Sequence, residues 1–322
     1  MLYNDRIITL GIVIPCYNEE SVIEQMTQQL LEKFDNLIQK NIISKDSYIL
    51  YSNDGSTDST WSLIENMGKK DKRVKGLTLA ANKGQQTAIL AGLEYARNYT
   101  SADAVITMDC DGQDDINILD EMITEYYNGN DIVYGVRNDR ATDSFLKRTT
   151  AIMYYKILSF FDKHTIHNHA DYRLMSKRVL DELIKHKEQN IYIRGLIPTI
   201  GFNSKIVYYK RNMRMAGETH YTISKMFNLA MNGITYNSTK LLRLIIVTGI
   251  MSVILSIISG ITAIILYCNN IIYPIWATIT TIAAFFTGIQ LCCMGIIAEY
   301  IGKIYIESKH RPRYIIKDTT KS

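Results

Sequence analysis

Four aspartates lie within seven residues, directly after an apolar run. Residues 106–115 read ITMDCDGQDD and contain Asp109, Asp111, Asp114 and Asp115. Carboxylates this close repel one another, so either water at a loop tip or a bound cation has to offset their charge. The choice between these explanations largely decides the function of the chain.

A calcium loop of the EF-hand type does not fit this cluster. Such a loop starting at Asp109 requires glycine at its sixth position, where Asp114 stands, and the aspartates follow a strand-like run. A D-x-D pair at a sheet edge better suits Mg²⁺ or Mn²⁺ shared with a phosphorylated ligand, because these ions combine a few carboxylates with phosphate oxygens. A solvated turn is the alternative. The patterns G-x-x-x-x-G-K-[ST] and G-x-G-x-x-G are absent from the sequence, which argues against ATP hydrolysis and hydride transfer.

The elements that must position these aspartates alternate between strand and helix patterns over the first 140 residues. The predicted strands are IITLGIVIP, YILYSND, VKGLTLA, AVITMD and DIVYGVR, with amphipathic helical patterns between them. This alternation predicts a mostly parallel sheet covered by helices on both faces, with ligands at the carboxyl ends of the strands. PCYNEE, NDGSTDS, ANKGQQ and DCDGQDD each follow a predicted strand, so we expect them to form one site.

Basic residues accumulate downstream, where an anionic partner could be held. Lys147 and Arg148 open an apolar and aromatic segment at 145–163, and a similar segment covers 222–236. Each is either a core helix or a helix lying in a membrane interface. The other basic residues of interest are Arg173, Arg194, Lys210, Arg211 and Arg214.

Two long segments, 244–267 and 273–298, contain no charged residue. At about 1.5 Å per residue each can cross about 30 Å of hydrocarbon, which favours two transmembrane helices over a buried pair. Basic residues flank both outer ends, so the positive-inside rule places both ends in the cytoplasm. The amino terminus lacks a signal-peptide pattern, and the large domain is therefore expected to be cytoplasmic.

The composition argues against several other classes of protein. The net charge of +4 over 322 residues is too small to indicate nucleic-acid binding. The five cysteines show neither zinc-site spacing nor a disulfide framework.

The ordered set of motifs resembles glycosyltransferase family 2, and more narrowly its polyprenyl-phosphate glycosyltransferases. The motifs are IVIPCYNEE, NDGSTDST, ANKGQQTAILAGLEYA, MDCDGQDD, ADYRLMSKR, YIRGLI, RMAGETHY and AEYIGKIYIESKHRPRYII. The resemblance implies a GT-A (Rossmann-like) nucleotide-sugar domain followed by interfacial helices and two transmembrane helices. The corresponding boundaries are 1–143 for the nucleotide-sugar core, 144–241 for the acceptor and juxtamembrane region, 242–299 for the spans and 300–322 for a cytoplasmic tail.

The resemblance also implies roles for individual residues. The nucleotide-sugar would be held by Pro15, Tyr17, Asn18, Glu19, Asp54, Asn82, Lys83, Gly84 and Asp109. The metal, Mg²⁺ or Mn²⁺, would be held by Asp109, Asp111 and Gln113. The catalytic group would comprise Asp111, Arg148, Asp171, Arg211 and Arg214. Asp171 is either a base or an anchor for Arg173.

The reaction implied is inverting transfer of a hexose from a nucleotide-sugar, with UDP-glucose as the expected donor, to undecaprenyl phosphate. A lipid monophosphate is already anionic, so it needs positioning and charge neutralisation more than a base. A multi-pass inner-membrane protein that forms a homo-oligomer is expected, with a tetramer as the state that the resemblance implies and with no nucleic-acid partner. The alternatives are a non-catalytic, membrane-anchored scaffold that binds nucleotide-sugar, or a polysaccharide synthase, although the Q-x-x-R-W signature of the latter is missing.

Overall fold

The computed structural model describes residues 7–138, 169–189, 191–212, scattered positions from 245 to 269, and 275–320. The predicted interfacial helices at 145–163 and 222–236 lie outside the described residues, as do Arg148 and Arg214.

An eight-stranded sheet forms the centre of the described structure. Its strands are β1 (Leu10–Cys16), β2 (Tyr48–Asn53), β3 (Val74–Leu79), β4 (Ala104–Thr107), β5 (Ile132–Arg137), β6 (His169–Ser176), β7 (Ser204–Tyr209) and β8 (Ile316–Thr319). The helices are α1 (Ile23–Gln39), α2 (Thr60–Lys70), α3 (Gln85–Tyr99), α4 (Leu119–Tyr127), α5 (Lys177–Lys185), α6 (Ile193–Thr199) and α7 (Ile275–Ser308). The strand order is β7-β5-β6-β4-β1-β2-β3-β8.

The sheet has a parallel core with two reversed strands. β4, β1, β2 and β3 pair in parallel, as predicted. β6 lies antiparallel between β4 and β5, and β8 lies antiparallel beside β3. The sheet is therefore mixed rather than mostly parallel. The carboxyl ends of β1 to β5 and the amino end of β6 meet at one edge.

Helices cover both faces of the sheet because side chains alternate along each strand. Ile12 and Ile14 of β1 point into a core formed with α1, α2 and α4, whereas Val13 points into a core formed with α3, α5 and α6. All seven residues of β1 are buried. This confirms the predicted covering of both faces, and it leaves the strand ends as the accessible edge.

Among the described residues, one helical segment is long and apolar enough to cross a membrane: Phe285–Ser308 of α7. Its most apolar stretch is not buried against the rest of the structure. The predicted boundary between span and tail, at residue 299, falls inside α7. The described positions between 245 and 268 are helical, and the Thr248 hydroxyl lies 3.9 Å from the Cys293 Sγ of α7.

Candidate active site

The loops after β1 and β2 are joined by hydrogen bonds at the accessible sheet edge. Asn18, which has a φ of 55°, accepts from the Thr57 N–H through its Oδ1 at 2.9 Å, and its own N–H donates to Ser56 Oγ at 2.9 Å. The Glu19 N–H donates to Thr60 Oγ1 at 2.9 Å. These contacts fix the predicted nucleoside-pocket residues relative to β2, with the Tyr17 ring 42% exposed above them.

Asp54 links the end of β2 to the start of α3. Its two carboxylate oxygens accept from the backbone N–H groups of Lys83 and Gly84, each at 2.7 Å. Burial raises the pKa of Asp54, while these hydrogen bonds oppose that rise. The carboxylate therefore holds the Asn82–Gly84 turn in place, in addition to the contact with a base that the resemblance implies.

The D-x-D loop brings its carboxylates together as predicted. Asp109 accepts from Gln85 Nε2 at 2.8 Å, and its N–H donates to Asp114 Oδ2 at 3.1 Å. The Gln113 N–H donates to Asp111 Oδ1 at 3.1 Å. Burial, followed by the negative charges of Asp114, Asp171 and Asp111, raises the pKa of Asp109 to about 8. A cation at this point would relieve that repulsion.

Asp171, at the amino end of β6, is saturated with donors. Its Oδ1 accepts from Arg194 Nε at 3.0 Å and from Arg173 Nη2 at 2.7 Å. Its Oδ2 accepts from Arg194 Nη2 at 2.8 Å and from Gln86 Nε2 at 3.1 Å. A carboxylate offers about four lone-pair sites, so these four donors leave none for a proton from substrate. The contacts favour an anchoring role for Asp171 over a role as base.

A second arginine and a tyrosine support the D-x-D loop from β5 and β7. Arg137 Nη2 lies 3.5 Å from Asp114 Oδ1 and 3.9 Å from Asp109 Oδ2. Arg137 Nε donates to the Tyr209 hydroxyl at 3.0 Å, and that hydroxyl donates to Asp114. Sequence reasoning missed Arg137 and Tyr209 as site residues, because only the pairing of β7 with β5 brings them beside the loop.

The segment after β7 carries a predicted cation to the same loop. Arg211 Nη2 donates to Gln113 Oε1, and the Asn212 N–H donates to Gln113 O at 3.0 Å. Arg211 therefore lies beside the proposed metal and diphosphate ligands, as the resemblance implies. Arg194, one of the basic residues of interest, joins the site through Asp171. Gln85 and Gln86 of the ANKGQQ motif, to which no individual role was assigned from the sequence, join it through Asp109 and Asp171 respectively.

The carboxylates of the D-x-D loop are the candidate ligands of a divalent ion. In the described ranges no group of three or more His, Cys, Asp or Glu side chains surrounds a single point. Mg²⁺ and Mn²⁺ do not need such a cage, because they take one or two carboxylates together with phosphate oxygens. Burial first, and then the charges of the neighbouring carboxylates, raise the pKa of Asp109, and a cation bound there would favour the ionised form. Asp109 and Asp111, with the Gln113 amide, therefore fit a metal that a diphosphate helps to hold.

The stability of the metal-free chain should fall as pH rises. Asp109 ionises near pH 4 in the unfolded chain but has a pKa of about 8 in the folded one, so the unfolded state binds fewer protons between these values. We expect the melting temperature in EDTA to drop between about pH 5 and about pH 8. Asp109→Asn should flatten this slope and melt higher at the alkaline end. Equal slopes for the parent chain and the variant would contradict the assignment.

The fold and the site together give a mixed α/β domain with a cluster of carboxylates at the edge where the parallel strands end. The model of the family described as Glycosyl transferase family 2 matches residues 11–184. The chain belongs to glycosyltransferase family 2.

Relatives match over nearly the whole chain. The uncharacterized glycosyltransferase YkoT of Bacillus subtilis (strain 168) is 45% identical, over 95% of this chain and 90% of its own length. The bactoprenol glucosyl transferase of Shigella phage SfV is 36% identical, over 96% and 98%. The prophage bactoprenol glucosyl transferase homolog of Escherichia coli (strain K12) is 35% identical, over 97% and 99%. Glucosyl-3-phosphoglycerate synthase from Mycobacterium tuberculosis is a more distant likeness, with 13% identity, a TM-score of 0.46 and coverage of 71% and 80%.

Proposed function

We propose that the chain transfers glucose from UDP-glucose to a polyprenyl phosphate, inverting the anomeric centre, at the cytoplasmic face of a membrane. One observation carries the proposal. This chain of glycosyltransferase family 2 aligns over 96% of its length with the bactoprenol glucosyl transferase of Shigella phage SfV. The contact of Arg211 with the D-x-D loop adds where the reaction would occur. Donor and acceptor phosphates would then meet at this contact.

On the donor side, the loops after β1, β2 and β3 would hold the nucleotide. Tyr17, Asn18 and Glu19 lie on the first of these loops, Pro15 is the last residue but one of β1, and Asp54 begins the second loop. The Asp54 carboxylate fixes the backbone of Lys83 and Gly84, so the loops form one preorganised rim. Preorganisation of this kind lowers the ordering cost of binding the donor.

A glycine next to Asp54 provides a test of this rim. Gly55 has a φ of +67°, and a Cβ added there would lie 2.9 Å from the Ala81 carbonyl carbon and 3.0 Å from the Asn82 nitrogen. Gly55→Ala should push the 81–82 backbone out and weaken UDP binding about tenfold, measured by titration calorimetry, beside a strain cost of about 1–2 kcal/mol. Gly129→Ala is the matched control, because Gly129 has a φ of +92° with nothing within 4 Å of the added Cβ. An equal loss of UDP affinity in both variants would contradict the proposed rim.

A divalent ion, Mg²⁺ or Mn²⁺, is proposed to be held by Asp109, Asp111 and Gln113. When bound, it would supply Lewis-acid charge to the leaving diphosphate. The chain's own contribution is to hold these ligands still. Gln85 fixes Asp109, the Gln113 N–H fixes Asp111, and Arg211 fixes the Gln113 side chain.

On the acceptor side, the chain has to bind and orient a monophosphate. The contact of Arg211 with Gln113 supports this role for Arg211, and we assign Arg148 and Arg214 to the same task. Guanidinium groups suit phosphate because they can donate two parallel hydrogen bonds. The saturated Asp171 would keep Arg194 and Gln86 in position rather than remove a proton.

Two membrane spans are proposed to keep the site near the acceptor. α7, which contains the candidate segment Phe285–Ser308, would supply the second of them, and the segment 244–267 would supply the first. The basic residues outside both segments favour a cytoplasmic catalytic domain. A homo-tetramer in the membrane is part of the proposal and can be read from the mass of the detergent-solubilised protein.

The decisive experiment uses purified protein in detergent with undecaprenyl phosphate, Mn²⁺ and a panel of radiolabelled nucleotide-sugars. Transfer of label to lipid by the parent chain, and not by Asp111→Asn, would support the reaction and name the sugar. Binding of a nucleotide-sugar without transfer would favour a non-catalytic scaffold. Label in a long polymer instead of the lipid would favour a synthase.

A further inference from the structure

The segment 309–320 is fastened to the catalytic sheet immediately after α7. The helix ends at Ser308, and His310 turns the chain with a φ of 47°. Pro312 follows, which cannot continue a helix. β8 then pairs with β3, the Ala80 N–H donates to Ile315 O at 2.9 Å, and the Gly76 N–H donates to Thr320 Oγ1 at 2.9 Å. We call residues 309–320 the clasp.

One carboxylate of α3 receives two donors from the clasp. Arg313 Nη2 pairs with Glu94, and the two side chains are only 13% and 15% exposed. Arg313 Nη1 also donates to His186 O at 2.9 Å. The Tyr314 hydroxyl donates to the other Glu94 oxygen. A partly buried ion pair of this kind is strongly sensitive to loss of one partner, because the remaining charge stays desolvated.

A second attachment joins the end of α7 to the loop before α6. The Gln189 N–H donates to Glu307 Oε2 at 2.7 Å, and Gln189 Nε2 donates to Arg311 O. Because Gln189 precedes α6, which carries Arg194, this contact ties the end of α7 to the support of Asp171.

Each element that the clasp contacts leads directly to the proposed active site. α3 begins with Gln85 and Gln86, which hold Asp109 and Asp171. β3 leads into the Asn82–Gly84 turn that Asp54 fixes. The clasp therefore contacts three elements that support the site: α3, β3 and the loop before α6.

α7 is longer than a bilayer crossing requires. Its 34 residues extend about 51 Å at about 1.5 Å per residue, whereas about 20 apolar residues suffice for the hydrocarbon core. The uncharged run predicts that the span ends at residue 298. The part from Glu299 to Ser308 belongs to the membrane-length stretch Phe285–Ser308, but it carries Glu299, Lys303 and Glu307, and it continues the same helix for about 15 Å. This part can act as a rigid spacer between the membrane and the clasp.

We propose that the clasp fixes the catalytic sheet to this spacer and so sets the height and orientation of the active site above the bilayer. Arg313 and Glu94 are its positioning pair. The inference rests on the proposed function, since it concerns an acceptor embedded in the membrane. A displacement of about 1 Å in a reacting group can cost about a hundredfold in rate, so loss of the clasp should impair transfer to that acceptor.

The test compares two acceptors in a charge-reversal cycle. Arg313→Glu and Glu94→Arg should each lower transfer to undecaprenyl phosphate in lipid nanodiscs at least about tenfold, and the double variant should recover most of it. Transfer to geranyl phosphate in solution, which does not depend on height, should stay within about twofold. An equal loss of transfer to both acceptors would overturn the proposal, because the contact would then only stabilise the fold. Unchanged transfer to both acceptors would also overturn it.

A physical readout keeps the clasp testable without turnover. If the parent chain uses neither acceptor, the proposed function fails, but the height of the domain can still be measured. A donor dye on Tyr99→Cys, a position that is 72% exposed at the far end of α3, can be paired with acceptor dyes on the lipid headgroups in a Cys268→Ser background. Arg313→Glu should change the energy transfer, and the charge-reversed double variant should restore it. Unchanged energy transfer in Arg313→Glu would overturn the proposal that the clasp sets the height of the active site.

Discussion

Asp111→Asn should lower glucosyl transfer about a thousandfold or more while leaving the fold intact. The Asp111 carboxylate is only 8% exposed, and its Oδ1 accepts from the Gln113 N–H. Asparagine keeps that acceptor but removes the charge. The ion that would stabilise the leaving diphosphate then loses a charged ligand, which we expect to remove about 4 kcal/mol of transition-state stabilisation. Because about 1.4 kcal/mol corresponds to a tenfold change in rate, this loss corresponds to about a thousandfold.

The same loop offers a matched control for this variant. Asp115 belongs to the D-x-D run in sequence, but its side chain accepts from the Asn117 N–H and caps the following turn. Asparagine caps equally well, so Asp115→Asn should keep transfer within about twofold. Metal-dependent UDP binding, measured by calorimetry, should weaken in Asp111→Asn alone. An Asp111→Asn enzyme with a tenth of the parent rate and unchanged Mn²⁺ dependence would exclude Asp111 as a ligand.

The parallel core of the fold was predictable because its signals are local. Each of β1 to β5 is a short apolar run that is followed by polar residues. The observed strands coincide with the runs predicted from the sequence. The helices between them carry apolar residues at helical spacing, so α1 buries Met26, Leu30, Phe34 and Leu37 along one stripe. The shared sheet edge then followed from strand direction alone.

The reversed strands were not predicted because their signals are non-local. HADYRLMS contains two charged residues and reads as a polar motif, yet as β6 it lies inside the sheet, where Asp171 neutralises the buried Arg173. β8 is the four-residue IKDT, which has little strand character of its own. It pairs with β3 because the chain returns from α7 beside that edge.

The same distinction separates the site residues that were found from those that were missed. Asp109 and Asp111 can be recognised in the sequence by their residue type and their D-x-D spacing. Arg137 and Tyr209 become site residues only because β7, 72 residues later in the chain, pairs with β5. Gln85 and Gln86 are uncharged, so their residue type did not mark them as site residues, but they donate hydrogen bonds to Asp109 and Asp171.

Asp171→Asn should lower transfer about a hundredfold or more, and it separates the two interpretations of this residue. The change removes the charge that faces two guanidinium groups, one of them on Arg173, which is 1% exposed. Breaking a buried ion pair from one side costs about 3–5 kcal/mol, so the melting temperature should fall as well. Loss of activity alone therefore cannot distinguish an anchor from a base.

The shape of the pH–rate profile can make that distinction. A base would contribute a limb to the profile that disappears in Asp171→Asn, whereas an anchor leaves the shape unchanged and scales the whole curve down. We expect the unchanged shape, because the four donors on Asp171 already occupy its lone pairs. Loss of one limb of the pH–rate profile in Asp171→Asn, with the rest of the profile intact, would instead support Asp171 as the catalytic base.

A double-mutant cycle with Arg194 completes the argument. If Asp171 acts by holding Arg194, the variant Asp171→Asn/Arg194→Gln should be no slower than the slower single variant, since both changes remove one interaction. Arg178→Gln is the control for removing a positive charge, because the 70% exposed Arg178 side chain pairs with Asp131 at the opposite edge of the sheet. Strict multiplication of the two single losses would show that Asp171 and Arg194 act independently. Sub-multiplicative losses would instead tie the rate to the arginine that the carboxylate holds.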